Sequence, residues 1–158
     1  MRISLFAGGG RGDGAGGIAR TGRESARNPP AHIDDLELEM IASADISISK
    51  RIEENTEHIR KVMNYLEKYQ FNLGAESIRE FFWHTFCDRW IEEIKTEIKD
   101  AKIGSKERIE KLAELLYLLK ENLKIMHPFI PFVTEAVWQE LVKLELANGL
   151  LFVQQIGK

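Results

Sequence analysis

The chain has 158 residues, 44% hydrophobic and 30% charged, with a formal net charge of −3 and a single cysteine, Cys87. That is enough chain for one domain with its own core. No apolar run approaches the length of a membrane span, no signal-peptide pattern occurs, and one cysteine cannot form an internal disulfide, so the expected location is the cytoplasm.

Charge and composition change along the chain. Residues 1–31 carry Arg2, Arg11, Arg20, Arg23 and Arg27 against Asp13 and Glu24, a net +3, which leaves −6 for the remainder. Eight of the twelve glycines lie between Gly8 and Gly22. Glycine loses the most backbone entropy on ordering, and little apolar surface is present there to offset it. Residues 1–31 are therefore expected to be a disordered Gly/Arg-rich tail, closed by Asn28-Pro29-Pro30. Ile3–Ala7 followed by glycines imitates a dinucleotide loop, but no helix pattern or second strand follows, so no nucleotide site is assigned. Arg11-Gly12-Asp13 is read as a chance triplet in a biased tail.

Residues 32–42 form an acidic lead-in (Asp34, Asp35, Glu37, Glu39) to a helical domain over 43–158. Ser43 or Asp45 is expected to cap a first helix in which Ile48, Ile52, Ile59, Val62, Met63 and Leu66 keep helical spacing. Tyr69–Asn72 breaks it. Asn72 is then a suitable cap for a second helix reaching about Lys99, in which Ile78, Phe82, Phe86 and Trp90 recur every four residues. Six aromatic rings in the twenty positions Phe71–Trp90 make this helix the expected centre of the domain, with Phe82 and Phe86 as core rings. Gly104 and Ser105 mark a stop and a start. A third helix carries Ile109, Leu112, Leu116, Leu119, Leu123 and Met126 in alternating steps of three and four, a bundle seam. Pro128 ends it, and Pro131 suits the first position of a fourth helix, whose Val133, Ala136, Val137 and Leu141 are expected inward, with Trp138 at the rim and Glu135 complementing the helix dipole. Asn148-Gly149 ends that helix, and Leu150–Val153 reads as an extended piece laid on the bundle. The fold class expected is all-α, an antiparallel bundle of four main helices.

Three stretches go beyond patterning. Phe71-Asn72-x-x-Ala75-Glu76, Glu80-Phe81-Phe82-Trp83-x-x-Phe86-Cys87-Asp88, and Met126-His127-Pro128-Phe129-Ile130-Pro131-Phe132-Val133-Thr134-Glu135-x-x-Trp138 together resemble the helical anticodon-binding domain of valyl-tRNA synthetases, over about residues 43–153. The likeness is incomplete: Asp45 is followed by Ile46-Ser47 where that family has Arg/Lys-Trp, and Cys87-Asp88 is followed by Arg89-Trp90 where it has Trp-Tyr. Neither nucleotide-binding signature of that family's catalytic domain occurs, nor the coiled coil that follows its bundle. The resemblance thus implies a fragment, a tRNA-binding module that orients valine-accepting tRNA for a separate catalytic domain or subunit. It implies no catalytic residue, no metal and no cofactor in this chain, ATP being used by the catalytic domain, and neither membrane nor DNA as a partner.

Within that frame the candidate RNA-binding residues are Arg79, Trp83, Arg89 and Lys95. One ring of the aromatic cluster, Trp83, is assigned to stacking on an unpaired base, and the three cations to anticodon-stem phosphates. The plain alternative is that the rings pack the core and the cations pair with Glu76, Glu92 and Glu93 on a solvated face. Lys99, Lys102, Lys106, Arg108 and Lys111 are diluted by Asp100, Glu107 and Glu110 and read as a solvated loop. His84 and Cys87 invite a thiol-catalysis reading, but Cys87 is expected to pack as a small hydrophobe, and His32, His58 and His127 lack ligand-spaced companions. The competing function is a helical protein-interaction domain that has lost RNA binding, favoured by the acidic body.

Overall fold

Every described helix can be traced to a local signal, although not always the expected one. The computed structural model describes residues 34–156; the expectation for the Gly/Arg-rich tail lies outside them. The elements in order are α1 (Asp35–Ser43), α2 (Lys50–Glu67), α3 (Phe71–Glu80), a π-helical segment (Phe81–Trp90), α4 (Ile91–Glu97), α5 (Lys106–Met126), α6 (Pro131–Lys143) and a single 3₁₀ turn (Leu151–Val153). α3, the π segment and α4 form one continuous rod, because Glu80, Phe81, Trp90 and Ile91 all keep right-handed helical dihedrals. The result is an all-α antiparallel bundle of four main helices, with α1 added.

The acidic lead-in is thus a helix. The Asp34 carboxylate caps α1 by accepting from the Glu37 N–H at 2.7 Å. α2 starts later than either expected cap: Ser49 takes that position and accepts from the Ile52 N–H, while its hydroxyl donates to Glu114 on α5. Asn72 does not cap α3, which begins one residue earlier and has no side-chain cap.

The four-residue repeat explains the π segment. An α-helix has 3.6 residues per turn, so a strict repeat of four slides about 40° around the cylinder at each step. A π segment, bonded from residue i to i+5, turns less per residue and moves the stripe back. The Ile91 N–H indeed bonds the Phe86 carbonyl, five residues back. Gly74, Ile78, Phe86, Trp90 and Ile94 consequently all stay buried over twenty residues of rod. Phe82 is only half-buried, stacked on Phe86 with ring centres 5.2 Å apart.

The aromatic rod is not the centre of the domain. α5 is: it supplies buried residues to each of the four core clusters, Leu118 beside Ile52, Phe86 and Trp90; Ile125 beside Ile59, Val62 and Ile78; Leu123 beside Trp138, Leu141 and Leu151; Ile109 and Ala113 beside Ile41. Its buried positions run right around the helix and include Arg108, Glu114, Glu121 and Asn122. Each of the first two is matched by a partner from another helix, Arg108 Nε with Glu37 Oε1 at 2.6 Å and Glu114 with Ser49. Asn122 Nδ2 donates to Asn55 Oδ1 at 2.9 Å and to the Leu118 carbonyl at 2.8 Å. Burial without such partners would cost several kcal/mol per group, by about the transfer values for amides.

α6 turns a different face inward from the one expected. Thr134, Trp138 and Leu141 are buried, whereas Val133 and Val137 are 62% and 38% exposed, and Phe132 is 90% exposed. The proline turn decides this: Thr134 Oγ1 donates to the Ile130 carbonyl and lies 2.9 Å from His127 Nδ1, which pins the start of α6 to the end of α5. Glu135 serves the chain's end, accepting from the Leu151 N–H at 3.0 Å and from Gln139 at 2.7 Å. The expected extended piece is a 3₁₀ turn with extended flanks, and Leu151 is its buried anchor.

Gly74 gives a first test of the packing. A Cβ built there meets Leu66 Cδ2 and Phe129 Cζ, both at 3.5 Å, which is ordinary contact. Alanine gains about 1 kcal/mol of helix propensity over glycine. Gly74→Ala is therefore expected to raise stability by up to about 1 kcal/mol, read as a higher urea midpoint; a fall would mean that α2 and α3 sit closer than described.

Candidate nucleic-acid interface

The aromatic cluster sorts itself by ring contacts. His58 and Phe81 stack face to face, centres 3.8 Å apart and planes within 2°. Phe81 meets Trp90 edge-on at 5.3 Å, and Trp90 meets Phe86 edge-on at 6.4 Å. The two edge-to-face contacts are geometries that the ring quadrupoles favour. Trp83 is the ring left out: it is 61% exposed, with no ring neighbour among the described residues. It stands four residues beyond Arg79 on the same rod, so the two share a face.

The three candidate cations are exposed but engaged. Arg79 bonds its neighbour Glu80, Arg89 bridges to Glu54 on α2 and lies 5.7 Å from the Trp90 ring centre, and Lys95 bonds Glu92 at 2.6 Å. Arg89 lines a cleft with Lys50, Arg51 and Lys111. There Arg51 is held by Glu93, Glu97 and Glu114, and Lys111 by Glu97. The structure does not gather the four candidates into one pocket. Exposed pairs of this kind are worth only about 0.2–1 kcal/mol, so a phosphate competes with them at modest cost.

The His84–Cys87 pair dissolves. His84 lies between Asp88 Oδ2 at 3.1 Å and Glu80 Oε2 at 3.5 Å. Burial, and then the Asp88 charge, push the Cys87 thiol above its ordinary value, which keeps it protonated and a poor nucleophile. Among the described residues no group of three or more His, Cys, Asp or Glu is placed to hold a metal ion.

A feature that the sequence reading missed is a groove of about 490 Å³ between α2 and the rod, lined by His58, Lys61, Tyr65, Leu73, Glu76 and Phe81 among others. His58 forms part of its wall. Its Nε2 lies 3.1 Å from the Ser77 carbonyl, which makes that nitrogen the donor, and the buried Nδ1 has no hydrogen-bond partner. Burial lowers the His58 pKa to about 4. A histidine whose folded pKa lies below its unfolded value of about 6.5 destabilises the fold as pH drops through that window, because only the unfolded state takes the proton. Stability should be unaffected above pH ~7 and fall by about 2 kcal/mol by pH 5, levelling off below about 4. Urea midpoints of wild type and His58→Gln across that range check this; parallel curves would show that His58 titrates normally.

The family model described as the anticodon-binding domain of tRNA ligase matches residues 52–156. That span takes in everything from the first turn of α2 to the last described residue, so α2, the rod, α5 and α6 are all inside it and α1 is outside. The chain belongs to the tRNA ligase anticodon-binding domain family. Its similar relatives are valine–tRNA ligases. That of Legionella pneumophila (strain Lens) is 36% identical over 92 residues, 58% of this chain and 10% of the relative. That of Thermotoga maritima is 37% identical over 107 residues, 68% and 11%, and that of Treponema pallidum 39% over 85 residues, 54% and 9%. The chain spans about a tenth of the length of these relatives. In this bundle the candidate cations Arg79, Arg89 and Lys95 are each paired with a carboxylate.

Proposed function

We propose that this anticodon-binding domain recognises the anticodon stem-loop of a valine-accepting tRNA and orients that tRNA for charging by a catalytic domain. The observation that supports valine is that the bundle itself, rather than a flanking segment, aligns with valine–tRNA ligases from several bacteria. On this reading Trp83 stacks on an unpaired base, and Arg79, Arg89 and Lys95 exchange their carboxylate partners for stem phosphates. ATP belongs to the catalytic domain, and this chain carries no cofactor.

The test is equilibrium binding of a valine-type anticodon stem-loop and of the same stem with a scrambled loop. Trp83→Ala should weaken the first more than the second. Arg89→Ala should weaken both alike and flatten the log–log salt slope by roughly one unit, as expected for one lost phosphate contact. No loop-dependent binding by the wild-type chain, even at low salt, would overturn the reading. The second reading, a helical interaction domain without RNA binding, then replaces it. It is favoured by the outer face of α6, where Phe132, Val133 and Val137 are left uncovered.

A further inference from the structure

The corner between α2 and α3 holds a residue that the fold does not explain. α2 ends in a Schellman arrangement: the Gln70 N–H bonds the Tyr65 carbonyl at 2.9 Å and the Tyr69 N–H bonds the Leu66 carbonyl at 3.0 Å. Tyr69 occupies the left-handed position of that motif, with φ at 59°. Glycine is the usual residue there, because a Cβ is strained in that conformation. A bulky side chain at such φ points to a functional constraint. Burial does not offset the strain, since Tyr69 is 81% exposed. Its ring meets one other edge-on at 6.2 Å, that of Phe71, itself 54% exposed.

Two lysines, with Glu67 between them in sequence, lie on the stretch of α2 that leads to this pair. Lys68 is the residue before Tyr69, and Lys61 lies one turn before Tyr65 with its Nζ 5.9 Å from that ring's centre. Among the described residues neither lysine forms an ion pair, in contrast to Arg79, Arg89 and Lys95. Lys61 and Tyr65 also line the groove that runs along the rod past Glu76, whose carboxylate can accept from the amino edge of a base.

The geometry points to the Tyr69–Phe71 pair as a stacking platform for unpaired bases of an RNA loop, with Lys61 and Lys68 on the flanking phosphates and the groove receiving a base edge. This rests on the RNA reading above and names a contact surface separate from Trp83. Single-stranded nucleic acid is held by aromatic faces set beside cations, and stacking carries affinity where net charge does not. Two exposed rings with Lys68 adjacent in sequence, and Lys61 at Tyr65 about two turns up α2, meet that requirement at this corner.

Tyr69→Gly separates the role of the ring from the fold. It relieves the left-handed strain, so the urea midpoint should rise, while affinity for a valine-type anticodon stem-loop falls about tenfold. A 2-aminopurine base in that loop, quenched on binding wild type, should stay bright with the variant. Tyr69→Asn, which also tolerates left-handed φ, should lose affinity equally. Lys61→Ala and Lys68→Ala should each flatten the salt slope by about one unit. Loop-dependent binding by wild type that survives Tyr69→Gly and Tyr69→Asn unchanged overturns the platform and leaves the anticodon reading standing, with the corner assigned to a protein partner. A midpoint that falls in Tyr69→Gly shows that packing holds the ring, and overturns it as well. Wild type that binds no loop at any salt removes both.

Discussion

Trp90→Ala is expected to destabilise the domain by about 3–5 kcal/mol, the range for deleting a fully buried large aromatic. Trp90 is 1% exposed and sits where three elements meet, against Ile52 of α2, Phe86 of its own π segment and Leu118 of α5. It also receives Phe81 edge-on, and Phe81 in turn carries the His58 stack. Removing it leaves a cavity into which Phe81 cannot move without breaking its stack on His58. Since a domain of this size has a total stability of about 5–15 kcal/mol, the loss should be visible as a large drop in urea midpoint. Phe86→Ala, at 3% exposure, should follow closely, and Phe82→Ala, half-buried, should cost clearly less. Midpoints for Trp90→Ala and Phe86→Ala that barely move would mean that these rings are not in the core.

The second large effect lies in a charge pair. Arg108→Met should cost about 3 kcal/mol or more, because it strands Glu37, 1% exposed, without its cation. Glu37 Oε1 accepts from Arg108 Nε at 2.6 Å and from the Gly104 N–H at 3.3 Å, and its Oε2 is buried without a partner. Replacing both residues, Glu37→Met with Arg108→Met, should recover most of the loss, since a buried pair exchanged for apolar groups of similar volume is often neutral or better. The loss is capped by the cost of undocking α1, which packs on α5 through Ile41 beside Ile109 and Ala113. Amide exchange should then show α1 opening ahead of the rest in Arg108→Met. Equal stability of the single and double variants would show that the pair contributes nothing specific.

Part of the candidate site's layout was legible because it depends on local chemistry. The density of aromatic residues from Phe81 to Trp90 shows that one helix face cannot bury them all, and Trp83 is the one outside. The groove and Tyr69 were not legible. A tyrosine after a lysine at a helix end carries no mark of positive φ, and its exposure depends on where α3 leaves α2. The charge partners were legible only within one helix: Lys95 with Glu92 follows from spacing, whereas Arg89 with Glu54 joins residues 35 positions apart.

The sequence by itself determined the helical class, the position of the proline turn, the four-residue stripe of the aromatic rod and the resemblance to an anticodon-binding bundle, all properties of residues close together along the chain. Only the tertiary structure decided which helix is central and which side of α6 faces in. Hydrophobic spacing measures how much apolar surface a helix offers, and the aromatic rod offers the most. Centrality depends instead on how many faces find partners, and α5 is surrounded because its Arg108, Glu114 and Asn122 meet Glu37, Ser49 and Asn55 from other helices. In α6 the contact between Thr134 and His127 at the end of α5, together with the burial of Trp138, sets a rotation that leaves Val133 and Val137 outside, because one buried tryptophan removes more apolar surface from water than the two valines would.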